Sequence, residues 1–289
     1  MNRFFNSTIF IIARLTFREA IRRRIVLAAL LLGIAFLAIY SLGFHFIQAE
    51  FQREFADGRA FGRAEQVQQQ AFNFLLLAGM YVVNFLSIAT AALLTADSLA
   101  GEIQSGTIQA VVTKPVRRMA VVLGKWLGHA SLLLLYLLMM GGGVMLSIKV
   151  QSGYSTTSWA QGLAILYFNA LIIMSLTLAF SSTLSTLATG GAVFGAFGLA
   201  FIGGWIERIG SLFENETAIN LGIVSSLILP SEALWNKAAS VLTSPLMNMV
   251  GISPFVSASE PSTAMLAYAG LYLLVLIALA VWRFGTRDL

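Results

Sequence analysis

Residues 150–206 carry no charged side chain, an uninterrupted run of 57 residues. A helix that crosses the hydrocarbon of a bilayer needs roughly 20 apolar residues, so the run is too long for one crossing. It divides near the Ser/Thr/Gly-rich stretch at 181–191 into two windows, 162–182 and 190–210. Four further apolar windows lie at 25–47, 71–96, 121–148 and 263–283. Backbone exposed to lipid must satisfy its own hydrogen bonds, so each window is expected to be a helix. The sequence predicts an all-α integral membrane protein with six transmembrane helices, a single transmembrane domain over 1–289. Charged residues make up 11% of the chain, against about 25% in a soluble domain, too few to cover a water-facing surface.

The first window competes with a secretory signal. It is about 23 residues long, longer than a typical signal core, and no clear small-residue cleavage site follows it. An uncleaved first span is expected. Charge then sets the orientation. One side holds both termini and residues 97–125, with 12 cations and 4 anions, a net of +8; the other holds 6 cations and 9 anions, a net of −3. The positive-inside rule places the termini and those residues in the cytoplasm, with the chain in the inner (plasma) membrane. The same rule accounts for a sequence pI near 9.7 better than nucleic-acid binding does, because the basic residues cluster beside apolar runs.

Two segments depart from the spanning pattern. In residues 4–24, Phe5, Ile9, Ile12, Thr16 and Ala20 fall on one helical face, while Arg14, Arg18 and Arg22 repeat every four residues on another. This predicts an amphipathic elbow helix in the cytoplasmic interface. Residues 211–262 contain two apolar patches interrupted by Pro230, Pro245 and Pro254. They are expected outside, as short helices on the membrane or as a re-entrant piece.

Several chemistries have no residues to carry them. The chain has no cysteine, which removes disulfides and thiolate catalysis. No G-x-x-x-x-G-K-S/T motif occurs; after Gly124-Lys125 stands Trp126, where a magnesium-holding hydroxyl belongs. The two histidines, His45 and His129, lie in or near different spans and make a poor metal site, so no metal ligands, catalytic residues or cofactors are assigned to this chain. Ion-driven transporters place ionisable residues at mid-membrane. Here the polar groups in the spans are neutral: Asn84, Asn169, Ser175 and Thr177. Helix-to-helix hydrogen bonding is the first expectation for them, and Asn84 and Asn169 are the candidates for lining a pathway.

The fifth window carries small residues every four positions, at Ala188, Ala192, Ala196, Ala200 and Gly204, with Gly191 and Gly195 beside them. A flank almost without side chains lets another helix approach closely in lipid. The partner is either in this chain or in a second copy.

The loop 97–118 is richer than a connector needs to be. Asp97 and Ser98 are both able to cap a helix start. Leu99, Ile103, Ile108 and Val112 supply apolar contacts, Gly101 and Gly106 supply turns, and Pro115 stops the segment before Arg117 and Arg118. This predicts a structured cytoplasmic surface built from one or two short helices.

In these residues the chain resembles the permease subunits of type-2 ABC transporters. Their pattern is an acidic residue after the second span, then Glu, Gly-Thr, a Pro-Val-x-Arg, and Gly-Lys at the start of the third span. It is matched here by Asp97, Glu102, Gly106-Thr107, Pro115-Val116-Arg117-Arg118 and Gly124-Lys125. Ile108 stands where the family more often has Leu. The resemblance implies that the loop is a coupling helix, with Asp97, Glu102, Gly106, Thr107, Ile108, Pro115 and Arg117 at the contact with a separate ATP-binding cassette subunit. ATP and magnesium would be held by that partner. It also implies an exporter and a second permease, the same chain or a homologue, packed through the fifth span at Ala188, Gly191, Ala192, Gly195, Ala196 and Ala200. The other reading is a membrane scaffold or channel-like protein with no ATPase. Nothing in the sequence selects a cargo among lipid, drug, peptide and ion.

Overall fold

The computed structural model describes residues 2–56, 64–106, 116–243 and 261–287. Its elements are all helical: α1 Asn2–Ile21, α2 Arg24–Ala56, α3 Ala64–Gln104, α4 Arg118–Ser152, α5 Trp159–Ser181, α6 Thr186–Leu212, α7 Glu216–Ile228, α8 Ser231–Leu242 and α9 Thr263–Thr286. Six of them, α2 to α6 and α9, are long and apolar enough to cross a membrane; α7 and α8 together form a pair bent by 104°. The all-α membrane architecture read from the apolar windows is the one observed.

The bundle is built around α5. Its side chains are apolar on every face, and Leu166, Ile172, Ile173 and Met174 are fully buried, as expected of a helix surrounded by others. Two buried asparagines meet there: Asn169 Nδ2 donates to Asn84 Oδ1 at 3.0 Å, tying α5 to α3. Ser175 accepts from Trp126 Nε1 at 2.8 Å, and Thr177 bonds back to the Ile173 carbonyl. The asparagine pair and the Trp126–Ser175 bond tie helices together, whereas the Thr177 bond stays within α5. By contrast α2 and α9 sit at the periphery with few side chains fully buried, as lipid-facing helices do.

The elbow helix packs as its periodicity predicts, with Thr16 and Ala20 buried. Its seat is the first third of α4. A Cβ at Gly124 would lie 2.6 Å from Ile12, and one at Gly128 would lie 2.7 Å from the Ala13 carbonyl. Only glycine lets the two backbones come this close.

Two expectations are corrected. Asp97 and Ser98 do not start new helices: α3 runs unbroken through them to Gln104. The reason is packing. Leu99 and Ala100 are buried, and the Ser181 hydroxyl of α5 bonds the Ala96 carbonyl and the backbone N–H groups of Leu99 and Ala100. Likewise Gly101 makes no turn. The Asp97 carboxylate folds over it, with Oδ1 at 2.1 Å from where a Cβ would stand. The turn falls on Gly106, whose φ of +72° is one glycine adopts at little cost.

Within residues 211–243, α7 keeps Leu221, Val224 and Ile228 exposed, whereas α8 is buried in the bundle. Helix α7 lies tightly along α6, and after Leu229 and Pro230 the chain turns back so that α8 enters the bundle. Trp235, Ala238, Ala239 and Leu242 are completely buried, and Asn73 Nδ2 donates to the Leu242 carbonyl at 3.0 Å. The 104° bend between α7 and α8 is that of a broken span or of a re-entrant piece; residues 244–260, with Pro245 and Pro254, lie outside the described residues.

Candidate functional site: a polar network at the end that carries the termini

The charged residues of the loop region converge at one end of the bundle, where α1 and α9 also meet. Arg23, between α1 and α2, donates to Glu19 at 2.6 Å and to Asp97 Oδ2 at 2.9 Å. Burial opposes its charge, but Glu19 and Asp97 outweigh burial and raise its pKa. The other Asp97 oxygen accepts from Thr186 Oγ1 at 3.0 Å. One carboxylate thereby joins the α1–α2 corner, the end of α3 and the first residue of α6.

A second knot lies beside it. Lys125 is buried. Its Nζ donates to Glu102 Oε1 at 2.5 Å and to the Ser98 carbonyl at 2.8 Å, fixing the last turn of α3 to the second turn of α4. Arg118, at the start of α4, donates to the carbonyls of Gly285 at 3.0 Å and Arg287 at 2.7 Å, holding the end of α9. Arg287 in turn donates to the Ser182 carbonyl at 2.6 Å. Under this polar layer lies an apolar one of Leu99, Val121, Val122, Leu178, Ala280 and Phe284. The segment 105–117 is therefore mounted on α3 and α4, which are bonded to each other and to α1, α2 and α6.

Of the sequence-predicted coupling residues, Asp97, Glu102, Gly106 and Arg117 come together at this end. Thr107, Ile108 and Pro115 lie outside the described residues. The small-residue flank of α6 divides. Ala188 and Gly191 are exposed, and a Cβ at Gly191 or Gly195 would meet nothing within 4 Å. Ala192 and Ala196 are half-buried. Ala200 is 2% exposed and belongs to the chain's own core with Val193 and Phe197, so its place in an intermolecular face is corrected. Gly204 packs on Glu232. Asn84 and Asn169 are buried and occupied with each other.

One group of residues escaped the sequence reading. At the opposite end, Arg208 of α6 donates to Glu232 Oε2 at 2.8 Å and to Asn236 Oδ1 at 3.0 Å, both on α8. Arg208 and Glu232 are 6% and 2% exposed, and Glu207 is buried beside them. The guanidinium also stacks over Trp205, 5.4 Å from the ring centroid. Counting Arg208 and Glu232 as outer-loop charges hid this pair, because Pro230 lies between them and no periodicity links α6 to α8.

The architecture defines a class: a multi-pass helical membrane protein whose sequence holds no G-x-x-x-x-G-K-S/T motif and whose described charged residues gather at the two ends of the bundle. The chain belongs to the ABC-2 family transporter proteins, whose family model matches residues 10–289. Members of that family are the membrane-embedded permease subunits of ABC transporters. A comparison with curated proteins finds no match.

Proposed function

We propose that this chain is the permease subunit of an ABC exporter and is driven by a separate ATP-binding cassette subunit docked on the segment 105–117. The observation that carries this reading is the double knot of Asp97 and Glu102. A chain with no phosphate-binding motif must receive work through contact with another protein, and the contact must be joined stiffly to helices that move. Asp97 links the base of the segment to α1–α2 through Arg23 and to α6 through Thr186; Glu102 links it to α4 through Lys125. A push on the segment reaches the inner ends of five helices through hydrogen bonds shorter than about 3 Å.

The reading includes termini in the cytoplasm of an inner-membrane protein, ATP and magnesium held by the partner, and a dimer of permeases meeting through the open part of the α6 flank at Ala188, Gly191 and Gly195, flanked by Ala192 and Ala196. The test is co-purification from membranes. An ATP-binding cassette subunit should accompany the tagged chain, and its ATPase rate should change on association. A chain that moves or organises its cargo normally in cells lacking every such subunit would contradict the proposal and favour the scaffold reading.

A further inference from the structure

Eight of the cations at the terminal end of the bundle sort into two groups. Arg23, Lys125, Arg118 and Arg287 are engaged by carboxylates or carbonyls of the chain itself. Arg14, Arg18, Arg22 and Arg24 are exposed and make no ion pair among the described residues. Arg14 and Arg18 stand at i and i+4 on α1, and Arg22 follows in the turn just past its last residue, Ile21. With a rise of 1.5 Å per residue, the stems of Arg14 and Arg18 are roughly 6 Å apart along the outward face.

That face is not a water-facing one. Among the arginines stand Phe10, Ile11, Leu15 and Ile21, exposed by 76%, 59%, 60% and 51%. The opposite face, Ile12 to Ala20, is sealed against Gly124 and Gly128 of α4, so α1 is not able to roll its apolar residues inward. Past the corner, Leu27, Leu31 and Leu32 of α2 are exposed as well, on a helix long and apolar enough to cross the membrane. A face that alternates guanidinium groups with large apolar side chains, beside a lipid-facing helix, matches the boundary between headgroups and acyl chains. Guanidinium groups bind phosphate oxygens in pairs of hydrogen bonds. A phosphate with no ammonium beside it leaves that attraction uncompensated.

We propose that Arg14, Arg18 and Arg22, with Arg24 at the corner, form a binding stripe for anionic phospholipid headgroups. The occupant is a lipid such as phosphatidylglycerol, with its phosphate on the arginines and its acyl chains against Phe10, Ile11 and Leu15. The stripe acts on the rest of the molecule through α4: the α1–α4 seam at Gly124 and Gly128 brackets Lys125, the partner of Glu102. A bound anionic lipid therefore steadies the helix that holds the last turn of α3. The proposal does not depend on the transport reading, since it concerns lipid binding by the chain alone.

The experiment uses the full-length purified chain, equilibrated with mixed micelles of phosphatidylglycerol and phosphatidylcholine, with retained lipids counted by native mass spectrometry. The wild type should retain phosphatidylglycerol in preference, and less of it at high salt. Arg14→Gln, Arg18→Gln and Arg22→Gln should each lower the preference by up to about fivefold, the weight of one basic residue near an anionic surface. The triple Arg→Lys variant keeps the charge and should keep most of the preference, which separates charge loss from misfolding. Arg53→Gln at the other end of α2 should change nothing. An unchanged preference in the triple Gln variant, or one that follows Arg53 instead, overturns the proposal. So does a triple Gln variant that keeps its lipid but loses an acidic protein partner, because the stripe is then a protein-docking surface.

Discussion

Lys125 reaches from the second turn of α4 to Glu102 at the end of α3, with Nζ 2.5 Å from Oε1, and its side chain is 7% exposed. A buried ammonium held by one carboxylate and the Ser98 carbonyl is costly to orphan. Removing one partner of a buried pair costs about 3 kcal/mol, because the other charge stays behind. Glu102 is 22% exposed, so water relieves part of that penalty when Lys125 is the residue removed. Glu102→Ala should therefore destabilise the protein by about 3 kcal/mol and Lys125→Met by less. Thermal unfolding in detergent would show the order. Equal and negligible shifts for both would mean that the pair does not hold α3 to α4.

The ion pair at the opposite end makes a stronger case, since both partners are buried. Glu232→Ala leaves Arg208 without its carboxylate in a dry site, and Arg208→Met strands Glu232 next to Glu207. Each should cost about 3–5 kcal/mol, while the double replacement Arg208→Met with Glu232→Leu should recover most of the loss. A double-mutant cycle in unfolding free energy measures this. Additive losses would show that the two residues do not act as a pair.

Glycines along α6 should separate into two classes. A side chain at Gly195 meets nothing within 4 Å inside the chain, whereas a Cβ at Gly203 would stand 1.9 Å from the Ser225 hydroxyl oxygen. Gly195→Leu should leave the monomer's melting temperature unchanged and lower the fraction of dimer. Gly203→Leu should lower the melting temperature, by about 2 kcal/mol or more of stability, because overpacking shifts α7 off α6. If Gly195→Leu leaves the dimer intact in lipid, the open flank of α6 faces lipid instead.

The helix count and the buried face of α1 were legible because both are periodic properties of one segment: charge-free length gives the spans, and Thr16 with Ala20 gives the seat of α1. The junction at Asp97 was misread. An acidic residue followed by Ser has the local chemistry of a helix start, yet here α3 continues, because the Ser181 hydroxyl of α5 bonds Ala96, Leu99 and Ala100. No sequence window contains a contact made across 81 to 85 positions. The same holds for Arg208 and Glu232, which only the return of α8 into the bundle brings together. Glu102 was singled out as part of the contact surface of the loop; its bond to Lys125, in the second turn of α4, comes only from the α3–α4 packing.

Membrane orientation is the next expectation to check, and the absence of native cysteine makes it direct. A cysteine at Ser105, at the end that carries the termini, should be shielded from impermeant thiol reagents in sealed cells. One at Asn215, at the start of α7, should react. Labelling of Ser105 from outside would reverse the assigned sidedness.

The central claim is that the segment beginning at Gly106 receives the force of an ATP-binding partner. Gly106 has φ +72°, and a Cβ there would meet nothing within 4 Å. A β-branched residue is strained by the backbone alone, at about 1–2 kcal/mol, without a clash anywhere in the bundle. Gly106→Val is therefore expected to distort the docking segment while the bundle still inserts and folds. The decisive measurement is the ATPase rate and retention of the ATP-binding subunit on Gly106→Val permease, beside the wild type, in the same reconstituted membranes. Weakened retention, or hydrolysis that no longer drives movement of cargo, is the predicted result. Normal retention together with normal coupled transport would contradict the account.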